Sequence, residues 1–354
     1  MNEKTLSSQQ TAFLLFMILL GGSYVHVPPT LAHQSAWLSA LGGSLVGAYL
    51  ILVLLHLQSL FPQTSLIRMS EKLLGKVPGK IVGLLYLWAV FIMAISLLQD
   101  NCIILVVMFP LLTCLFLRVT LISPAVYTIY KGVSSIGRLG ELFTWLTLIL
   151  TLLAFIITIP RVQPAFLSPL GNPAAIAKGV LQVAGWPFSM VGLLAFFLPL
   201  VNDLPDKKKV IYWWYLLAVV ILVLKDVLIV GVLSPEILLS SRYPLLEVLR
   251  LDTFGGFQRV EMFFFLAWFM MSFFAMLAAY QCLALGGQAL FSLSNYGFLV
   301  IPLGLGLVVF SLYTFQSDID FVSLRVLTLP LNSLIPMLFV PTLLLVVAKF
   351  RNNL

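Results

Sequence analysis

Two short stretches place helix-breaking and polar residues inside otherwise apolar sequence: GGSYVHVPP at residues 21–29 and GWPFS at residues 185–189. Glycine tolerates unwound backbone, and proline cannot donate a helical hydrogen bond, so each stretch should free backbone groups from helical pairing. Freed helix ends carry partial charges, positive at N-termini and negative at C-termini. Such groups could hold a zwitterion, for example an amino acid, without any ionised side chain.

The surrounding composition is that of a membrane protein. Of the 354 residues 61% are hydrophobic and 9% are charged, and the mean hydropathy is +1.09. Soluble domains carry roughly 25% charged residues. Apolar runs of about 20 residues recur, the length a helix needs to cross a bilayer, whereas a β-barrel would show alternating segments of about 10 residues. The sequence predicts an all-α polytopic membrane protein.

Short polar segments divide the chain into about ten predicted spans. They are residues 11–33, 37–60, 82–108, 112–130, 140–159, 175–200, 210–233, 259–283, 296–314 and 330–349. With the N-terminus inside, the inner segments hold most of the 20 Lys and Arg residues, as cytoplasmic segments usually do. Both termini are therefore expected in the cytoplasm. The net charge of +7 then reflects topology and contact with anionic membrane lipid, and a nucleic-acid partner is not expected.

The two breaker stretches occupy matching places, since Gly21 and Gly185 each lie at the same distance from the start of their span. Interrupted helices at corresponding positions of two halves point to a transporter-type central site. The alternative is structural: Pro28 and Pro29 could end a complete first span, and Pro187 could be a simple kink. The ligand-binding hypothesis names Gly21, Gly22, Ser23, Tyr24, Gly185, Trp186, Phe188 and Ser189, with Ser272 from the eighth span.

A few ionisable residues at membrane depth are further candidates. Asp100 could line an outer vestibule or bond a neighbouring helix. Lys225 and Asp226 are adjacent, so they point about 100° apart on a helix. We expect them to find separate partners rather than act as a pair, with gating by one of them as the alternative. His26 could line the outer pathway or titrate near neutral pH.

Other chemistry is not indicated. The sequence lacks HExxH, GxGxxG and phosphate-loop motifs and an evident nucleophile–base pair, so an enzyme is not expected. Its three cysteines lie in apolar sequence without metal-ligand spacing, and neither a metal nor a cofactor is predicted. The outer loop at residues 234–258 is expected to be a solvated connector, with partner contact as the alternative.

Several stretches, in this order, resemble one known family, the B subunits of endospore germinant receptors, within the amino acid–polyamine–organocation transporter superfamily. They are SSQQ (7–10), GGSYVHVPP, AWLS (36–39), LFPQTSL (60–66), SEKLLGKVPGKIVGLLYLW (70–88), YKGVSSIGRLGE (130–141) and YPLLEVLRLDTFGGFQRVE (243–261), followed by Trp268. The family pattern often has a glutamate where Met190 stands and an acidic residue where Ser35 stands. Proton-coupled relatives carry a lysine in the fifth span, which here offers threonines instead.

The resemblance implies a LeuT-like fold in a single transmembrane domain, residues 1–354, built from two inverted five-helix repeats, 1–160 and 175–354, with helices 1 and 6 broken. It implies a spore inner-membrane subunit that binds a small germinant, such as an amino acid, between helices 1, 3, 6 and 8 and triggers germination. Its implied partners are a lipoprotein and another membrane subunit. The alternatives are a secondary amino-acid transporter, or a channel or scaffold subunit whose partners bind the germinant.

Overall fold

A computed structural model of the protein describes residues 5–23, 30–234, 237, 238, 241, 243–250, 261–314 and 328–352. Within these ranges the chain is predominantly helical, and each predicted span coincides with helix. The helices are α1 (Ser8–Ser23), α2 (Ala36–Leu60), α3 (Leu66–Leu74), α4 (Lys76–Met108), α5 (Cys114–Lys131), α6 (Val133–Thr158), α7 (Pro173–Gly185), α8 (Leu194–Phe197), α9 (Leu204–Val232), α10 (Pro244–Arg250), α11 (Glu261–Leu290), α12 (Gly297–Thr314) and α13 (Thr328–Asn352).

Eight helical segments of the described chain are long and apolar enough to cross a membrane. Of the ten predicted spans, the first and fourth are not among them. The first is represented by α1, which has only 16 residues. The fourth, α5, includes Arg118 and Lys131, and the Arg118 side chain is buried, where it donates a hydrogen bond to the Gln99 amide oxygen. The protein is thus a multi-pass integral membrane protein.

The helices α1 and α11 form the centre of the bundle. Every residue of α1 from Thr11 to Ser23 is buried, as expected for a helix that is apolar on all sides. It packs against α6, α9 and α11, while α11 also packs against α4. Other residues of α6 and of α12 stay exposed, for example Leu142 and Leu305. The central helices therefore lie among protein and the outer ones face lipid.

The first and sixth spans are both interrupted, as predicted. Helix α7 ends at Gly185, and Trp186 is extended, with φ −161° and ψ 111°. The chain then continues as a 3-10 helix, Phe188–Leu193, followed by the single turn α8 and a second 3-10 turn, Leu198–Leu200. In the first span, α1 ends at Ser23, and a 3-10 segment occupies Thr30–Ser35.

The start of the first span and the end of the sixth span are tied together. Ser7 and Gln10 form a reciprocal capping box at the start of α1, in which the Ser7 hydroxyl accepts from the Gln10 amide (3.1 Å) and the Gln10 side chain accepts from the Ser7 amide (3.0 Å). Just before it, the Leu6 amide donates to the Leu200 carbonyl (2.9 Å), and the Leu6 carbonyl accepts from the Asn202 amide (3.3 Å). We call this pairing the inner latch.

Asp203 reinforces the inner latch. Its carboxylate accepts from the Ser8 amide at 2.7 Å and lies 3.2 Å from the Lys207 ammonium. Burial raises the pKa of this carboxyl, but the hydrogen bonds from Ser8 and Lys207 and the charge of Lys207 outweigh burial, so the pKa lies below its ordinary value of 3.8. The carboxylate is therefore charged and bonded at neutral pH.

The loop at residues 234–258 differs from the expected solvated connector. It contains α10, whose side chains Pro244, Leu245, Leu246, Val248 and Leu249 are buried. This helix packs against α6, α9 and α11. These buried apolar residues form the side of α10 that faces the bundle, as in an amphipathic helix. This part of the loop is thus integrated into the fold.

Candidate ligand site at the interrupted helices

The C-terminal end of α1 is met by donors from two other spans. The last carbonyls of a helix have no partner within it and carry partial negative charge. Here the Gly22 carbonyl accepts from the Trp186 indole nitrogen at 2.6 Å, and the Ser23 carbonyl accepts from the Lys225 ammonium at 2.8 Å. The two stretches, which the sequence analysis assigns to one predicted site, therefore contact each other through this hydrogen bond.

Lys225 and Asp226 form an ion pair, which corrects the expectation that they find separate partners. Both side chains are buried, with exposed fractions of 0% and 2%, and the ammonium lies 2.9 Å from a carboxylate oxygen. The rotation of about 100° between neighbours on a helix does not separate them, because the four-carbon lysine stem is long enough to bend towards the adjacent carboxylate. Lys225 thus contacts both Asp226 and the end of α1.

Two of the predicted glycines are sites of close helix approach. A Cβ atom at Gly21 would lie 2.2 Å from the Met271 carbonyl oxygen of α11, and one at Gly185 would lie 2.4 Å from Pro330 Cβ of α13. These distances leave no space for a larger residue. Their packing explains why glycine is needed here, and any ligand contact by either residue remains a prediction.

Gly22 has a different environment. A Cβ atom there would lie 2.9 Å from Met190 Sδ, 3.4 Å from Pro187 Cβ and 3.5 Å from Trp186 Nε1. The nearest neighbour is therefore the flexible end of a methionine rather than backbone. Gly22 faces the junction between the two interrupted spans, and Met190 closes that junction with an apolar side chain.

The unwound part of the sixth span is bonded within the protein. The Ser189 hydroxyl donates to the Gly185 carbonyl at 2.6 Å, and the Tyr86 hydroxyl of α4 donates to the Gly192 carbonyl at 2.7 Å. Phe188 is fully buried, and its ring packs edge-on against Tyr215 at 6.3 Å between centroids. These contacts compensate backbone groups that would be costly to leave unbonded at membrane depth.

The third and eighth spans also reach this junction. Ser272 of α11 is buried, its amide nitrogen is close to Gly21, and its hydroxyl accepts from the Asn101 side-chain amide at 2.9 Å. Asn101 also donates to the Leu97 carbonyl at 2.8 Å. Its own side-chain oxygen has no hydrogen-bond partner among the described residues, so a buried acceptor lies beside Ser272.

Sequence reasoning singled out Asp100 and missed its neighbour Asn101. Asp100 is buried and adjacent on α4, but it is Asn101 that bonds Ser272. A polar amide within an apolar span is a usable signal, although sequence alone cannot show which side of α4 faces α11. The predicted site residues Tyr24 and His26 lie outside the described residues.

The described residues of the junction therefore combine two kinds of group. The carbonyl end of α1 and the Asn101 oxygen are acceptors that suit an ammonium group, while Trp186, Phe188 and Met190 supply apolar surface. Among the described residues, no group of three His, Cys, Asp or Glu side chains is placed to hold a metal ion. The arrangement suits a small molecule with a cationic or donor group and an apolar part.

Similarity to known proteins agrees with this architecture. The family model described as "Spore germination protein" matches residues 5–319. The chain is 23% identical to spore germination protein KB of Bacillus subtilis (strain 168), covering 100% of this chain and 97% of that protein. It is 19% identical to spore germination protein YndE of the same organism, covering 81% of each.

A solved structure shares the fold. The crystal structure of MhsT in complex with L-phenylalanine matches with a TM-score of 0.71 at 14% sequence identity, covering 99% of both chains. At this identity the match establishes the LeuT-like fold and no more. The family model, which covers most of the sequence, shows that the chain belongs to the spore germination protein family.

Proposed function

We propose that this chain is the integral membrane subunit of a spore nutrient-germinant receptor, and that it binds a small germinant, such as an amino acid, between the first, third, sixth and eighth spans. The observation that carries the proposal is the meeting of the two interruptions, where the Trp186 indole bonds the Gly22 carbonyl at the end of α1. Interrupted helices that meet in the interior are the usual basis of a central binding site. MhsT, which shares the fold, was solved with L-phenylalanine bound.

The chemistry at the junction suits an amino acid. Its ammonium would bind the Gly22 carbonyl, in place of the Trp186 indole, and the free side-chain oxygen of Asn101. Its side chain would pack against Met190 and Phe188, which are both fully buried. Its carboxylate would lie along the unwound backbone at residues 185–189.

The germinant can bind only if the junction opens. This opening is the conformational change that would signal binding. The bond between Trp186 and Gly22, with Met190 beside Gly22, fills the space a ligand would take. A germinant that replaces these contacts favours a second conformer, which is the requirement for any ligand-driven change. Because the same two spans meet again at the inner latch, a shift at the junction would reach the cytoplasmic end, and from there the proposed lipoprotein and membrane partner subunits.

Lys225 favours a receptor over a secondary transporter. In transporters with interrupted helices, the C-terminal ends of half-helices coordinate the coupling cation. Here a tethered ammonium already bonds the Ser23 carbonyl at the end of α1. The fifth span adds no lysine, and its Thr144, Thr147 and Thr151 are buried against the bundle. Uncoupler-sensitive accumulation of labelled amino acid in vesicles would instead support transport.

The experiment compares spores that carry Gly22→Val with spores that carry Gly306→Val. A Cβ atom at Gly22 would contact Met190, Pro187 and Trp186, whereas one at Gly306 has nothing within 4 Å. We expect spores with Gly22→Val to lose the response to L-amino acids, measured as loss of optical density, and spores with Gly306→Val to keep it.

Immunoblots must show equal amounts of both variants in the spore membrane. A second variant, Trp186→Phe, keeps most of the ring but removes the donor to Gly22, and it should change the germinant concentration needed for half-maximal response. A normal response from both Gly22→Val and Trp186→Phe at normal protein levels would rule out this junction as the germinant site.

A further inference from the structure

A separate cavity of about 800 Å³ lies at the lysine-rich end of the bundle, between α2, α9, α13 and the last turn of the sixth span. Its walls include Leu52 and Leu345, its polar lining includes His56 and Tyr212, and Lys208 and Lys349 stand at its edge. Leu52 has an exposed fraction of 56%, so the cavity is open to the side of the bundle. It shares no lining residue with the proposed germinant site.

The cavity combines apolar walls with positively charged groups, which is the arrangement that complements an anionic amphiphile. Leucines line part of it, among them the exposed Leu52, and Lys208 and Lys349 lie at or next to the ends of two predicted spans. Within the described part of the chain, neither Lys208 nor Lys349 belongs to one of the salt bridges. Long lysine stems can lie along apolar surface while the charged ends reach the membrane boundary. Unmatched positive charge above an apolar cleft is complementary to an anionic lipid headgroup above its acyl chains.

We propose that this cavity binds an anionic phospholipid from the leaflet on the lysine-rich side, with its phosphate between Lys208 and Lys349 and an acyl chain along Leu52 and Leu345. Basic pockets between transmembrane helices on the cytoplasmic side are suited to anionic headgroups, and the charge distribution predicts that this side is cytoplasmic. The volume lies within the range of sites that hold small organic ligands.

The lipid would also contact the inner latch. Val201 and Asn202 line the same cavity, Val201 forms a parallel bridge with Leu6, and the Asn202 amide donates to the Leu6 carbonyl. A bound lipid therefore covers the side of the inner latch that lines the cavity. Its occupancy stabilises the latched arrangement.

Native mass spectrometry of the full-length protein in detergent, with equal amounts of phosphatidylglycerol and phosphatidylcholine, tests the proposal. We expect a retained phosphatidylglycerol and little phosphatidylcholine. The variant Lys208→Gln/Lys349→Gln should weaken phosphatidylglycerol binding about 30-fold, since each lysine near an anionic lipid strengthens association roughly fivefold. The control Lys76→Gln/Lys209→Gln removes the same charge from exposed lysines that do not line the cavity, and it should bind as the unchanged protein does.

Three results would overturn the proposal. Equal binding of both lipids would show that charge does not select the occupant. Equal weakening in the cavity variant and the control would show that only net charge matters. Dimers that dissociate in the cavity variant alone would show that a second copy of the chain, rather than a lipid, occupies this face.

Discussion

Replacing Lys225 with methionine should destabilise the protein strongly, because it leaves the Asp226 carboxylate buried without its counter-charge. The exposed fractions of the two side chains are 0% and 2%, and the ammonium lies 2.9 Å from the carboxylate oxygen. Removal of one member of a buried pair typically costs about 3–5 kcal/mol. The same change removes the donor to the Ser23 carbonyl, so a cost near the upper end is expected.

The double variant Lys225→Met/Asp226→Asn separates these two contributions. It removes both charges, and replacing a whole buried pair is often nearly neutral. What remains is the loss of a donor to the Ser23 carbonyl, worth about 1–3 kcal/mol for a buried acceptor. The double variant should therefore be more stable than Lys225→Met by about 2 kcal/mol.

Equilibrium unfolding in mixed detergent micelles with increasing dodecyl sulfate measures these free energies. Lys207→Met is the matched control, since Lys207 pairs with Asp203 at 3.2 Å but its side chain has an exposed fraction of 63%. Exposed pairs contribute at most about 1 kcal/mol, so this variant should unfold almost as the unchanged protein does. A double variant as unstable as Lys225→Met, or a control equally destabilised, would refute the reasoning.

Three further predictions concern packing, the inner latch and topology. Gly21→Ala should lower the yield of folded protein on size-exclusion chromatography, since its Cβ atom would lie 2.2 Å from a carbonyl oxygen of α11, whereas Gly306→Ala should not; equal yields would contradict the packing. Asp203→Asn should speed hydrogen exchange at the Ser8 amide, which loses its charged acceptor. In the unchanged protein this protection should be full above the ordinary carboxyl pKa of 3.8 and fall as the pH drops through the lower folded value; a protection factor, corrected for the intrinsic pH dependence of exchange, that is unaffected by the change or by pH would exclude this role. A cysteine at Lys209 should react with a membrane-impermeant thiol reagent only after the cells are opened, and reaction in intact cells would reverse the predicted orientation.

The helical spans and the position of the sixth break could be predicted because both depend on local properties. Span length follows from apolar runs, and the end of α7 at Gly185 follows from the Gly-Trp-Pro sequence, in which proline cannot continue helical pairing. The same reasoning places the end of α1 near Gly21. This local reasoning does not fully explain why glycine is needed at residues 21 and 185, since their contacts with Met271 and Pro330 join residues far apart in sequence.

The details of the candidate site depend on such long-range contacts, and the sequence does not determine them. The bond from Trp186 to Gly22 spans 164 positions, and that from Asn101 to Ser272 spans 171. The expectation for Lys225 and Asp226 was wrong because it considered helix geometry and left out side-chain length. In the loop at residues 234–258, the apolar residues of α10 are buried by helices that sequence reasoning could not place beside it.

Equilibrium binding to the purified subunit alone, without partner subunits, tests the central claim most directly. The ligand is the radiolabelled L-amino acid to which intact spores respond. We predict saturable binding of about one molecule per chain. Gly22→Val should weaken it about tenfold or more, equivalent to about 1.4 kcal/mol or more, because the added side chain takes up space beside Met190 and Trp186 that the ligand would occupy. Gly306→Val should bind unchanged, because a Cβ atom there has no described neighbour within 4 Å outside its own helix. Absence of binding to the isolated subunit, or equal affinity in a folded Gly22→Val protein, would contradict the proposal that this chain holds the germinant at the junction of its two interrupted spans.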